Sequence, residues 1–402
     1  MHETNVNHPA NDSNCGLYVH LPFCETKCGY CDFYSVPTHG RDTAPLVFAI
    51  VRELKRRTDH IEQRILTIFC GGGTPTILPI DQLDAVLTPL GGLAKRHDSI
   101  EFTVEANPAT VDDEKTRLMV SAGVGRVSMG AQSFFPSELA ALERLHDPDD
   151  IPVSFATLRR NGVERINLDL IFGIPGQTLE TWSQSLRRAV DLSPDHLACY
   201  GLTYEPATRL TAQRNLGKIT PCGENLEAEM FELTTETLEA AGFKQYEISN
   251  YALPGCECAH NVGYWRNQPY VAVGPSAVGC IHGERYKNIA DIGGYIRMID
   301  ERGDAVVERE TLTGEMLVLE MVMMQMRLVE GLSISAFRAR IGIDPRALFQ
   351  RPIERLAELG KIQVSDTHIA LTQSGRLVAD RVMTQLVGEP ATGPISLPVL
   401  SG

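Results

Sequence analysis

Cys24-Glu25-Thr26-Lys27-Cys28-Gly29-Tyr30-Cys31, running on into Asp32 and Phe33, sets three thiols in a C-x3-C-x2-C array. A closed structural zinc site wants four ligands, usually from two C-x2-C knuckles. No second knuckle of matching spacing follows here, and Cys256/Cys258 is only C-x-C. Three thiolates on one loop suit a cubane [4Fe-4S] cluster, in which each iron wants a thiolate or a substitute. With three ligands from Cys24, Cys28 and Cys31, one iron keeps an open position for a chelating small molecule. Scattered free thiols, or a zinc site completed by a distant His, are the alternatives. The short apolar run over 16–21, GLYVHL, reads as a buried strand that delivers this loop at its C-terminal end.

The octapeptide CETKCGYC resembles the signature of the radical S-adenosylmethionine (SAM) superfamily, in which SAM chelates the open iron. That resemblance implies reductive cleavage of SAM to a 5'-deoxyadenosyl radical.

The chain has 402 residues, enough for two domains or for one large barrel with an appendage. A formal charge of −14 argues against bulk attraction to nucleic acid or anionic lipid. Residues 1–14 carry no apolar h-region, and no stretch approaches the roughly 20 apolar residues of a membrane span. The ten cysteines fit a reducing compartment better than a disulfide scaffold, so a soluble cytoplasmic protein is expected.

Along the chain, strands are expected over 16–21, 65–69, 100–105, 126–129, 166–172, 196–202 and 245–248. Helices are expected over 44–57, 112–122, 136–145, 149–161, 179–190 and 224–241. Such alternation means a parallel sheet with helical crossovers. No G-x-G-x-x-G follows the first strand, which favours a partly closed barrel over a doubly wound sheet. With the resemblance to the radical SAM superfamily, the expected fold is α/β: a partial (β/α)6 TIM-like barrel of the radical SAM type. Cys70-Gly71-Gly72-Gly73-Thr74-Pro75 directly follows a strand. Three glycines let backbone approach a ligand with no Cβ in the way, or simply make a turn. In a barrel of this kind the chemistry gathers at the C-terminal strand ends. Glu105 in VEANP, Gln132 in MGAQS and Asp169 in NLDLIFGIPGQT each put a polar group where a core strand prefers Val or Ile. Each could also be a satisfied core polar group or a helix cap.

These segments together resemble the oxygen-independent coproporphyrinogen III oxidase-like branch of the superfamily, over about residues 16–386. The resemblance implies that Gly72, Gly73 and Thr74 meet the amino end of SAM. It further implies that Glu105, Gln132 and Asp169 hold its ribose, carboxylate and adenine, with Arg144 pairing with the carboxylate. Tyr18 and Tyr30 match aromatic contacts flanking the cluster. Arg144 can equally be read as a basic residue at an exposed helix end.

The segment 251–300 breaks the alternation and is expected as a connecting segment. It contains His260-Asn261-Val262-Gly263-Tyr264-Trp265. This HNxxYW run resembles a motif of the heme chaperone (HemW) group within the same branch. A His beside apolar rings suits an axial heme ligand, and it also suits an ordinary packed residue. His260 is therefore the candidate heme contact, with Cys256, Cys258 or another His as alternatives. Over 301–387 the order changes to helices at 312–328, 334–341, 352–359 and 375–386, with two short strands within 361–371. This resembles a winged-helix-like α+β domain that closes chains of this branch. Between 331 and 387 there are eight Lys/Arg against five Asp/Glu, too mild an excess for a nucleic-acid face, so no nucleic-acid partner is expected. The expected organisation is thus a tail over 1–15, a core over 16–250, the connector, the C-terminal domain and a tail over 388–402.

Within the branch the oxidases carry a further Cys where Phe33 stands, and a longer N-terminal stretch ahead of the cluster. Both departures, with HNxxYW, point to the heme chaperone group. The expected function is heme binding and delivery to respiratory enzymes by a protein with a SAM-ligated [4Fe-4S] cluster. Transient peripheral membrane contact and a homodimer are compatible with it. The alternatives are oxidative decarboxylation of coproporphyrinogen III and a radical methyltransferase.

Overall fold

The structure is a computed structural model and describes residues 13–59 and 61–388. Most of the two expected tails lies outside these residues, but Asn14 and Cys15 already belong to the first strand. Six strands carry the core: β1 Asn14–Leu21, β2 Arg64–Gly72, β3 Glu101–Ala106, β4 Arg126–Gln132, β5 Arg165–Phe172 and β6 His196–Gly201. Each pairs in parallel with the next. The crossovers contain α1 Ala44–Thr58, α2 Ile80–His97, α3 Asp113–Ser121, α4 Pro136–Ala141, α5 Asp150–Arg160 and α6 Leu179–Asp191. After β6 come α7 Arg209–Asn215 and α8 Glu224–Ala240.

Side chains alternate across these strands, as a period of two requires. Leu17 and Val19, Val127 and Met129, and Ile166 and Leu168 are buried in one cluster with helix residues such as Ile50, Leu87 and Leu186. The intervening residues face inward and are largely polar. α2 has no counterpart among the sequence expectations, because Pro89, Gly91 and Gly92 inside it hide the helical pattern. Gly91 is there for contact: a Cβ would stand 2.3 Å from the carbonyl oxygen of Ala122, at the end of α3.

The sheet does not close. Beyond β6 comes β7 Asn250–Ala252, antiparallel, then the two-residue strand Lys244–Gln245, which replaces the strand expected over 245–248. Beyond β1 comes β8 Tyr270–Val273, parallel to it, then the antiparallel meander β9 Val278–Ile281, β10 Glu284–Asn288 and β11 Val306–Thr311. The expected connector over 251–300 is therefore part of the sheet, with α9 Ala259–Trp265 and α10 Ile292–Arg302 attached. β11, expected in the C-terminal domain, also belongs to this sheet.

Glu53 on α1 ties this extension to the core. Its carboxylate is fully buried and accepts from Arg57 Nε at 2.8 Å, Tyr295 Oη at 2.7 Å, Asn288 Nδ2 at 2.9 Å and the Gly274 N–H at 2.9 Å. A buried carboxylate is tolerated when its lone pairs are filled in this way.

The C-terminal part has its own core, in which Val318, Met321, Val322, Phe337, Leu356, Ile369 and Met383 meet. Its first helix, α11 Gly314–Gln325, is shorter than the expected 312–328, and its buried Met321 serves that core. A small antiparallel sheet of Leu332–Ser333, His368–Leu371 and Ile362–Val364 completes the winged-helix-like α+β arrangement. The helix led by Pro352 starts earlier, at Gln350–Glu358. No helix among the described residues is long and apolar enough to cross a membrane.

Candidate functional site

The residues expected to meet the cluster, SAM and heme line a single cavity of about 750 Å3. Tyr18, Cys24, Cys28, Tyr30, Cys31, Gly72, Gly73, Thr74, Glu105, Gln132, Arg144, Asp169 and His260 are all on its wall. The cavity runs the length of the parallel strands. Gly72 and Gln132 sit at their C-terminal ends, while Arg126 and His196 open the strands at the other end.

The cluster loop is held by its main chain. Phe23–Cys24 pairs with Val36–Pro37, the Thr38 N–H donates to the Cys24 carbonyl at 2.8 Å, and the Cys31 N–H donates to the Cys28 carbonyl at 3.3 Å. The glycines have a structural reason of their own. Gly71 and Gly72 continue β2 instead of forming a turn after it. Gly72 has φ of 93°, and a Cβ there would strike the His20 ring; a Cβ on Gly73 would lie 2.5 Å from the Phe23 carbonyl oxygen. Gly73 thus lets the strand run against the very segment that enters the cysteine loop. Thr74 adds a main-chain bond, its N–H donating to Phe23 O at 2.6 Å.

Arg144 is not at an exposed helix end. α4 stops at Ala141, Glu143 adopts a left-handed conformation with φ of 56°, and Arg144 turns into the cavity. Its Nη2 donates to Gly130 O at 2.7 Å and to Asn107 Oδ1, and its Nη1 lies 3.6 Å from Cys28 Sγ. Its Nε is buried with no protein partner among the described residues. Asp169 accepts from Asn167 Nδ2 at 2.8 Å and Ser128 Oγ at 3.2 Å. Burial raises its pKa, against the pull of these donors, Arg126 and Arg144. Glu105 accepts the Gly72 N–H at 2.8 Å, and burial, aided by Asp169, pushes its carboxyl up to about 7. Gln132 ends β4 with φ of 63°. Tyr18 Oη shares a hydrogen bond with His20 Nδ1 at 2.8 Å.

His260 is 3% exposed, and both of its ring nitrogens are engaged: Nδ1 with Thr67 Oγ1 at 2.8 Å and Nε2 with Tyr264 Oη at 2.9 Å. Its ring stacks on Phe69, with centroids 5.2 Å apart. Burial lowers its pKa to about 3, so the ring is neutral. In this arrangement both ring nitrogens of His260 are held by hydrogen bonds, as in an ordinary packed residue. The sequence reading also missed Glu101, whose buried carboxylate accepts the N–H groups of Ala259 and His260 and so fixes the start of α9. Arg126, Ser128, Asn167 and His196 line the cavity too and went unread. Their signal is the period of two: Arg126, Ser128, Gly130 and Gln132 share one face of β4.

The residues fit the groups that their pattern implies. Three thiols line one cavity, and a cationic guanidinium with an unfilled N–H stands beside them, suited to a carboxylate. Among the described residues no group of three or more His, Cys, Asp or Glu could hold a single metal ion. A cubane, being larger, keeps its thiolates further apart than one ion does.

The Radical SAM superfamily profile matches residues 18–189, and the HemN C-terminal domain profile matches 312–378. The Bacillus subtilis (strain 168) protein named heme chaperone HemW is 36% identical over 92% of this chain and 99% of its own. The chain belongs to the HemW family. A Mycobacterium tuberculosis (strain H37Rv) HemW is 33% identical over 93% of this chain and 95% of its own. The structure of the Escherichia coli coproporphyrinogen III oxidase HemN superposes with a TM-score of 0.79 at 23% identity, covering 94% and 91% of the two chains. The likeness to HemN shows a shared fold. Membership of the HemW family within the radical SAM superfamily implies SAM and a [4Fe-4S] cluster.

Proposed function

We propose that this protein is a heme carrier that takes up heme and hands it to heme-accepting respiratory enzymes, and that it does not oxidise coproporphyrinogen III. The single observation behind this is the match, along nearly the whole of both chains, to the B. subtilis protein named as a heme chaperone. Phe33 supports it, because this exposed phenyl ring on the cavity wall stands where the oxidases are expected to have a cysteine.

In this reading Cys24, Cys28 and Cys31 hold the [4Fe-4S] cluster. Tyr18, Tyr30, Gly72, Gly73, Thr74, Glu105, Gln132, Arg144 and Asp169 surround SAM. When bound, the cluster and SAM supply redox chemistry at the open iron. The chain's own contribution is to orient: Arg144 presents a fixed guanidinium beside the thiols, and Glu105 and Asp169 offer acceptors on nearby strands. Delivery to a membrane-bound acceptor requires only transient, peripheral contact, and a homodimer is compatible with it.

The test is anaerobic reconstitution with iron and sulfide, followed on the same sample by hemin titration and by incubation with SAM, a reductant and coproporphyrinogen III. Saturable hemin binding without porphyrinogen turnover is expected. Turnover with no saturable hemin binding overturns the carrier and restores the oxidase.

A further inference from the structure

A heme carrier needs an iron ligand with a lone pair facing open space, an apolar surface for the macrocycle, and a bond that can be given up. The cavity contains three histidines, His146, His196 and His260. His196 has both nitrogens occupied, Nδ1 by Asn167 Oδ1 at 2.6 Å and Nε2 by Tyr246 Oη at 2.8 Å. His260 is occupied in the same way, as described above. Cys258 also lines the cavity, but its thiol donates to Glu101 at 3.5 Å, and Cys256 is not on the wall.

His146 differs from all of these. Its Nε2 lies 3.1 Å from the carbonyl oxygen of Ala131. A carbonyl can only accept, so the proton is on Nε2 and the lone pair is on Nδ1. Nδ1 has no hydrogen-bond partner among the described residues. A ring N–H anchored to a main-chain carbonyl, with the other nitrogen left as acceptor, is how metal-ligating histidines are commonly held. Burial and the neighbouring Arg144 lower the His146 pKa to about 4, which keeps the ring neutral at physiological pH.

Its surroundings suit the macrocycle. Leu145, next to it in the chain, is 62% exposed, and Phe33 on the cluster loop is 71% exposed; both line the cavity. Large apolar side chains left open on a cavity wall mark a place for an apolar ligand.

We propose that His146, through Nδ1, ligates the iron of heme bound at the cavity mouth, with Phe33 and Leu145 against the ring, and that His260 instead positions α9. This rests on the heme-carrier reading. Nδ1 lies beside the side chain's own Cβ, so a porphyrin approaching it is crowded and the bond is easily released, as a carrier requires.

The experiment is hemin titration of the full chain, followed by absorbance and resonance Raman, for the wild type, His146→Gly, His260→Ala and Phe33→Ser. His146→Gly should lose at least tenfold in affinity and change its Soret band, and added imidazole should restore the wild-type spectrum. His260→Ala should keep the wild-type spectrum. Phe33→Ser, at an exposed side chain that leaves folding intact, should weaken hemin several-fold even if the Gly variant fails to fold. An unchanged spectrum in His146→Gly, or unchanged affinity in Phe33→Ser, overturns the assignment while leaving the carrier reading in place. Absence of saturable binding by the wild type fails the carrier reading itself.

Discussion

The main-chain N–H of Gly72 donates to Oε2 of Glu105 at 2.8 Å, so the glycine run and the carboxylate on the next strand form one unit. Burial holds the Glu105 carboxyl up to about 7, against an ordinary 4.5. The folded state therefore binds this proton more tightly than the unfolded chain does. Its contribution to stability is present below about 4.5 and is lost as pH rises through about 7. In denaturant titrations of metal-free protein, Glu105→Gln should gain on the wild type between pH 5 and pH 8. A constant difference at the two pH values would show that Glu105 is not perturbed.

Iron content separates the cysteines. After anaerobic reconstitution, Cys24→Ala, Cys28→Ala and Cys31→Ala should each lose the oxygen-sensitive [4Fe-4S] absorption. Cys222→Ala and Cys256→Ala, which lie off the cavity wall, should keep full iron and sulfide. Full loading of Cys28→Ala would refute the ligand set.

SAM affinity should depend on Asp169 and Arg144. Asp169→Ala is expected to lose about 1–3 kcal/mol, the usual cost of unpairing a buried polar contact, with cluster iron unchanged. Arg144→Gln should weaken SAM as well and, through its 3.6 Å approach to Cys28 Sγ, shift the cluster's reduction potential. Calorimetric titrations that match the wild type in both variants would remove these residues from the SAM site.

Glu53 is a stability residue remote from the chemistry. Glu53→Ala strands Arg57, Asn288 and Tyr295 without their shared acceptor and is expected to cost about 3–5 kcal/mol. The expected result is a lower thermal midpoint with unchanged iron per folded molecule. A midpoint equal to wild type would show that the latch carries nothing.

The local parts of this structure were legible because local pattern makes them. The strands β2 to β6 and the cysteine loop announce themselves by short apolar runs and close thiol spacing, and the candidate residues of the site converged on one cavity. What escaped is non-local or hidden by composition. Pro89 and the glycines after it masked α2. Treating the strands as apolar runs concealed the inner face, so Arg126, Asn167 and His196 were passed over. The left-handed Glu143 that swings Arg144 inward has no signature in ERLH. His260 was legible as a special residue, but its two hydrogen bonds come from Thr67 and Tyr264, and the first of these is distant in sequence.

The pairing of β1 with β8 joins Tyr18 to Ala272. A ribosome making this chain from its N-terminus therefore exposes one long edge of β1 until residues beyond 270 have emerged. An unpaired strand edge is a template for wrong partners. The segment that enters the cysteine loop stays in that state through most of synthesis, so iron should enter only after Tyr270–Val273 has emerged and paired with β1. Nascent chains stalled before Tyr270 should aggregate or be held by holdases, and should acquire no cluster.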